Sequence, residues 1–303
     1  MKPQTLIVVC ACALLVAGAS SASAQLVFGT TTSSTSNPAA MYLDINTGQV
    51  TTLWNSASHK KVNGMAADPD TGRLYTNDAA RLNYWNYGDL STAPTFIAGM
   101  YRTEDFVSFS ATGVDGLAFA NGRLYGATSY QSTTFSRGIY EVATVPDGAS
   151  HCVMTPLWLD PTASPGVSGT LSLDGLDFNA GDGLFYATQT EDAGDFTRGL
   201  YSIDAFGTGD ITKIADFPAG YTDIGGLAIG GGKFWLVQQE PGASRIDIFP
   251  YDPATGLYGD TIYVPLADGT QRATGAAWAP GALPEPGTLS ALALVALVAL
   301  RRR

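Results

Sequence analysis

The sequence predicts an all-β protein: a five-bladed β-propeller closed by its own N- and C-terminal strands, with an N-terminal signal helix before it and a short C-terminal hydrophobic helix after it. Three observations carry this. A short motif built around a glycine recurs about every fifty residues. Each recurrence reads as two strands and a tight turn, usually followed by a second strand pair. The N-terminal stretch supplies the strands that the last recurrence lacks.

The recurrences are VNGMAADPDTGRLYTND from Val62, VDGLAFANGRLYGATS from Val114, LDGLDFNAGDGLFYATQT from Leu173, IGGLAIGGGKFWLVQQ from Ile224 and ATGAAWAPG from Ala273. Their marker glycines, Gly64, Gly116, Gly175, Gly226 and Gly275, are spaced by 52, 59, 51 and 49 residues. Asn121-Gly122 is a two-residue hairpin signal, and Asp70-Thr71-Gly72 is a longer variant. Second pairs follow from Gly138, Gly199 and Arg245, so one repeat holds about four antiparallel strands, the size of a propeller blade.

After each glycine, positions +1 and +3 are mostly large and apolar, as in Leu117 and Phe119, while +2 is Ala66, Ala118, Ala228 or Ala277. With period two, the glycine and +2 share a face. The expectation is that this small face lines a narrow channel and the large residues pack between blades. The last recurrence has no strand partners after it. LVFGTTTS from Leu26 and AMYLDINTGQVTTLW from Ala40 mimic the missing strands, and closing the ring with them removes an open sheet edge. A pair of β-sandwiches is the rival fold; circular closure argues against it. The body resembles the broad class of propellers with GLAF…GRLY repeats over most of residues 26–281, a structural motif shared by many activities.

Hydrophobic residues make up 45% of the chain and charged residues 14%, which suits a folded body and not disorder. Without the two tails the body keeps 12 basic and 26 acidic residues. That balance excludes nucleic acid as a partner, because phosphate contacts need Lys and Arg. Cys152 is the one cysteine outside the leader, so no disulfide forms within the body, and a buried apolar role is expected.

The ends read as addresses. Residues 1–24 carry Lys2, an apolar core from Leu6 to Val16, and a small-x-small cleavage site at Ala22-Ser23-Ala24 before Gln25. The body spans 25–281. Residues 282–303 hold Pro284-Glu285-Pro286, then Thr288 to Leu300, 13 residues without a charge, then Arg301, Arg302 and Arg303. A helix of that length would span roughly 20 Å against a hydrocarbon core of ~30 Å, so it suits a temporary tether with its arginines on the cytoplasmic side. This end resembles the PEP-CTERM sorting signal. The resemblance implies Sec export, transient membrane insertion, recognition by the membrane enzyme exosortase, and release to the surface or exopolysaccharide matrix of a Gram-negative-type bacterium.

The body contains no HExxH, CxxC, Walker, GxSxG or EF-hand pattern. Carboxylates remain. Asp115 and Asp174 precede marker glycines, Asn63 holds the same place in the first repeat, and Asp223 lies close before the fourth. They either fix turns or ring one mouth of the channel, where oxygen ligands could hold calcium. Asp177 stands at +2 where the other repeats have alanine, and the expectation turns it toward the channel. The expected role is a non-enzymatic binding or structural one associated with exopolysaccharide. The alternative is a hydrolase of polysaccharide or lactone, with Asp177, Asp174, Asp115 and Asp223 as its candidate acids and bases. The Tyr84-Trp85-Asn86-Tyr87 run could stack on a sugar face or pack between blades.

Overall fold

Alternation of large and small side chains around each marker glycine gives strands in every recurrence. The structure is a computed structural model. It describes residues 25–31, 38–55, 62–78, 81–87, 92–102, 114–128, 137–161, 171–192, 194–238, 244–266 and 272–279. The leader, with Ala22 and Ala24, and the tail, with Pro284, Glu285, Pro286 and the three arginines, lie outside these residues. Among the described residues no helix is long and apolar enough to cross a membrane.

The chain opens with β1 (Gln25–Thr31), β2 (Pro38–Asp44) and β3 (Val50–Asn55). The next unit is β4 (Met65–Asp68), β5 (Arg73–Asp78), β6 (Arg81–Asn86) and β7 (Thr95–Arg102). Then come β8 (Gly116–Ala120), β9 (Arg123–Thr128), β10 (Gly138–Val142) and β11 (His151–Leu159). The third unit is β12 (Leu173–Asn179), β13 (Leu184–Gln189), β14 (Gly199–Ile203) and β15 (Ile211–Ala215). The fourth is β16 (Gly226–Gly230), β17 (Lys233–Val237), β18 (Arg245–Asp252), β19 (Leu257–Tyr258) and β20 (Ile262–Pro265). The last strand is β21 (Arg272–Ala279).

The termini close as the repeats imply. β21 joins β1, β2 and β3 in one sheet, with Gln25 opposite Ala279 and Gly29 opposite Gly275. The first strands of the units pack in a closed cycle: β4 on β8, β8 on β12, β12 on β16, β16 on β21, and β21 on β4. The fold is therefore all-β and propeller-like. The Asn121-Gly122 turn has positive φ at both residues, 51° and 75°, as a two-residue hairpin needs.

Five separate sheets do not form. β7 and β11 pair in parallel, His151 opposite Gly99 through Met154 opposite Arg102, and fuse two units into one eight-stranded sheet, β4-β5-β6-β7-β11-β10-β9-β8. Since β4 and β8 also pack together, this sheet curls nearly into a barrel. Its interior is filled from all eight strands, by Ala66, Tyr75, Leu82, Met100, Leu117, Leu124, Tyr140 and Cys152 among others. Two outer edges that would otherwise face water satisfy each other, which explains the departure.

The channel-facing role expected for position +2 is also corrected. Ala66 packs in the cluster that holds Leu117, Ala118 in that of Leu176, Ala228 in that of Ala276, and Ala277 in that of Met65. Each small +2 residue thus shares a core with the +1 residue of the next unit. The first strands stack face to face, so both faces are buried and large fits against small. Full burial of each such Leu is worth roughly 1.5–3 kcal/mol. Trp85 and Tyr87 are buried between units, in a cluster with Trp54 and Met65, so they are unavailable to a sugar.

Candidate functional site

At four of the five marker glycines the backbone of the next unit comes too close for a side chain; at Gly226 the tight neighbour of an added methyl group is Val237 Cβ, 2.9 Å away. A methyl group on Gly64 would lie 2.7 Å from the Leu117 nitrogen, one on Gly116 2.6 Å from the Leu176 nitrogen, and one on Gly175 3.0 Å from the Gly225 oxygen. On Gly226 it would lie 3.5 Å from the Gly275 carbonyl carbon, and on Gly275 1.9 Å from the Asn63 oxygen. The five glycines form a ring around the axis in which each touches the next unit.

The residue before each glycine is carried to the rim of that ring. Asn63, Asp115, Asp174, Gly225 and Thr274, one from each recurrence, line a single cavity of about 70 Å³. The structure therefore brings Asp115 and Asp174 together with Asn63. Asp223 is close enough for its negative charge to act on Asp174, but it does not form part of the cavity wall. Gly226 is preceded by Gly225, so the fourth repeat presents no side chain at the equivalent position.

The rim is held from behind by buried polar side chains at the ends of the second strands. Thr30, Asn77, Thr128, Thr188 and Gln238 are all buried. The Gly64 N–H donates to Asn77 Oδ1 (2.7 Å), and Asn77 Nδ2 donates to the Val114 carbonyl (2.5 Å), tying two units together. The Gly175 N–H donates to Thr188 Oγ1 (2.8 Å). Gln189 Oε1 accepts from the Ser172 N–H (2.5 Å). Sequence reasoning missed this belt. Its signal was available: a polar residue closes every second strand, in LYTN, LYGAT, FYAT, FWLVQ and VFGT.

Electrostatically the rim is acidic and crowded. Burial pushes the pKa of Asp174 up to about 7, and the negative charge of Asp115 adds to the rise, with smaller contributions from Asp223 and Glu191. The Thr190 hydroxyl donates to Asp174 and pulls the other way. Asp174 is thus poised to hold a proton or exchange it for another cation. Among the described residues no group of three or more His, Cys, Asp or Glu side chains could hold a metal. A cation here would rest on Asp115 and Asp174, the Asn63 and Thr274 side-chain oxygens, backbone carbonyls and water, the mixed oxygen set that calcium accepts.

Asp177 does not line this cavity. Its Oδ2 accepts from the Ile229 N–H of β16 (2.6 Å) and its Oδ1 from the Phe178 N–H (2.8 Å). Burial pushes its pKa up to about 7 against the pull of these two donors. It occupies the +2 place between two first strands, where alanine would leave the Ile229 N–H without this acceptor. Its role here is a clasp. Cys152 is fully buried, and burial pushes its thiol up to about 11, as an inert core residue requires. His151 stacks on Tyr101 with ring centroids 4.0 Å apart, on the opposite face from Cys152.

No family model matches the chain, and no curated protein does. Solved structures with a similar course include TolB from Acinetobacter baumannii, 14% identical over 86% of this chain and 67% of that one, TM-score 0.48. A putative 6-phosphogluconolactonase from Bacteroides fragilis is 11% identical over 86% of this chain and 99% of its own, TM-score 0.44. A periplasmic gluconolactonase from Pseudomonas aeruginosa is 13% identical over 83% and 99%, TM-score 0.41. At this distance none of the three lends an activity to the chain.

Proposed function

We propose that this protein is an exported propeller-like protein of five repeats with a non-enzymatic binding or structural role at the cell surface or in the exopolysaccharide matrix, and that the rim of its axis binds calcium. One observation carries the calcium reading: equivalent positions of all five recurrences converge on a single oxygen-lined cavity containing two carboxylates. Its volume of about 70 Å³ admits an ion with a few waters. Pockets that enclose organic ligands start at roughly 300 Å³. The acidic balance of the body favours a cation over any anionic ligand. Calcium titration of the protein and of its Asp115→Asn/Asp174→Asn variant tests the reading.

The hydrolase reading keeps one observation in its favour. Asp174, protonated near pH 7, stands in one cavity with Asp115 from another unit, and such a pair can divide acid and base roles. The same cavity is too small to enclose a sugar unit, which favours the binding role.

Export rests on the sequence: the leader ending at Ala24, the Pro284-Glu285-Pro286 element, the apolar run and the terminal arginines. In this reading the Sec machinery carries the chain across the inner membrane, and the tail holds it there until exosortase acts. Deleting residues 284–303 should move the protein from the cell surface to the soluble periplasmic or culture fraction, read by fractionation and immunoblot. Unchanged surface retention would refute the sorting role.

A further inference from the structure

We propose that Gln25 is a modification site: after the leader is removed, its α-amino group closes on its own side-chain amide, and the mature chain begins with a pyroglutamyl ring. The inference rests on the export reading, because it needs cleavage between Ala24 and Gln25.

The position is unusual for a chain start. A mature terminus is commonly a few loose residues that keep the charged amine in water. Here there is no such spacer. β1 begins at Gln25 itself, inside a sheet, with Asp44 of β2 opposite it on one side and Ala279 of β21 on the other. Gln25 is 2% exposed, and the residues after it, Leu26 and Val27, are fully buried. An α-amine has an ordinary pKa of about 7.7–8.0 and is mostly charged at neutral pH. Holding that charge between two strands costs free energy unless a counter-charge is free to meet it. The carboxylate opposite in the ladder, Asp44, accepts from the Asn46 and Thr47 N–H groups with its Oδ1, so a charged amine would compete with its own turn for it.

The side chain has a matching problem. Gln25 Oε1 is buried and has no hydrogen-bond partner among the described residues. One reaction changes both ends. The α-nitrogen attacks the side-chain carbonyl carbon Cδ, the N–Cδ bond forms, the Cδ–Nε2 bond breaks, and Nε2 leaves as ammonia with a proton from the amine. No oxidant, reductant or second substrate is needed. The product is a neutral five-membered lactam. It keeps one N–H for the strand ladder, removes the positive charge, and draws the carbonyl back toward the backbone. Among the twenty side chains, glutamine is the one that makes this closure readily at a new terminus. The modified strand would have no free amine for an aminopeptidase to grip, at the strand that closes the ring.

The test is mass spectrometry of the N-terminal peptide from freshly harvested, exported protein, with aminopeptidase digestion alongside. The expected peptide starts at residue 25, is lighter by one ammonia, and resists the aminopeptidase. A peptide that starts at Gln25 with a free amine overturns the lactam and leaves the cleavage reading intact. A ring that accumulates only on storage overturns it as a cellular modification. A start at any other residue, or a retained leader, overturns both.

Discussion

Asp174 and Asp177 lie on one strand, and burial raises both to a pKa of about 7. The sign of the consequence follows from linkage. The folded state holds these protons more tightly than the unfolded chain, whose aspartates titrate near ~3.9. The stability these two protons contribute is therefore fully present below about pH 4, falls as pH rises from there through 7, and then levels. The loss is at most on the order of 4 kcal/mol for each group. Asp177→Asn keeps an acceptor for the Ile229 N–H without the charge. It should flatten the slope and raise the melting temperature at pH 8. A melting temperature that rises between pH 5 and 8 in both proteins would contradict this account. The glycine ring makes a second residue-scale prediction. Gly275→Ala forces a methyl group into the Asn63 carbonyl, whereas Gly148 has open space around it. Gly275→Ala should destabilise by at least ~1–3 kcal/mol, and Gly148→Ala by a few tenths at most, as read by chemical denaturation.

At the scale of elements, β1 decides whether the cycle closes. It pairs with β2 on one edge and β21 on the other, from Gln25 to Thr31. Removing residues 25–31 would leave the facing edges of β2 and β21 unpaired, next to a core opened at Leu26 and Phe28. The truncated protein should aggregate or form strand-swapped oligomers in light scattering coupled to size exclusion. A stable monomer would mean that the ring does not depend on terminal closure. Much of this level was legible in the sequence. The glycine period, the Asn121-Gly122 turn and the mimicry between Leu26–Ser33 and Leu124–Ser129 all reflect local rules of turn and strand. The pairing of β7 with β11 was not legible. Parallel contact between outer edges 52 residues apart, such as Gly99 with His151, leaves no periodic trace in either strand. The orientation of position +2 misled for a related reason. Period two shows that residues share a face, but not what that face meets, and here both faces meet a neighbouring strand.

The whole molecule gathers one residue from each recurrence at one end of its axis. The sequence showed three of the five, Asn63, Asp115 and Asp174, by their place before a glycine; for the fourth recurrence it offered Asp223, where the structure puts Gly225. Thr274 drew no notice because a hydroxyl before a glycine looks like ordinary turn chemistry. Its value appears only when the five positions meet. The burial that raises Asp174 is likewise a property of the assembled rim, where β12 packs against β8 and β16 of the neighbouring units and the charges of Asp115 and Asp223 add to it. A bound divalent cation would favour the ionised form of Asp174, displace its proton and remove part of the stability loss above about pH 4.

The most direct test is isothermal titration of calcium into the exported, processed protein at pH 6 and pH 8, in buffers of different ionisation enthalpy. The account predicts one site with a dissociation constant on the order of 10⁻⁴–10⁻³ M, the range of extracellular calcium modules. It also predicts proton release at pH 6 that vanishes at pH 8, and loss of binding in the Asp115→Asn/Asp174→Asn variant. Absence of binding at millimolar calcium, or binding that survives the double substitution, would contradict it.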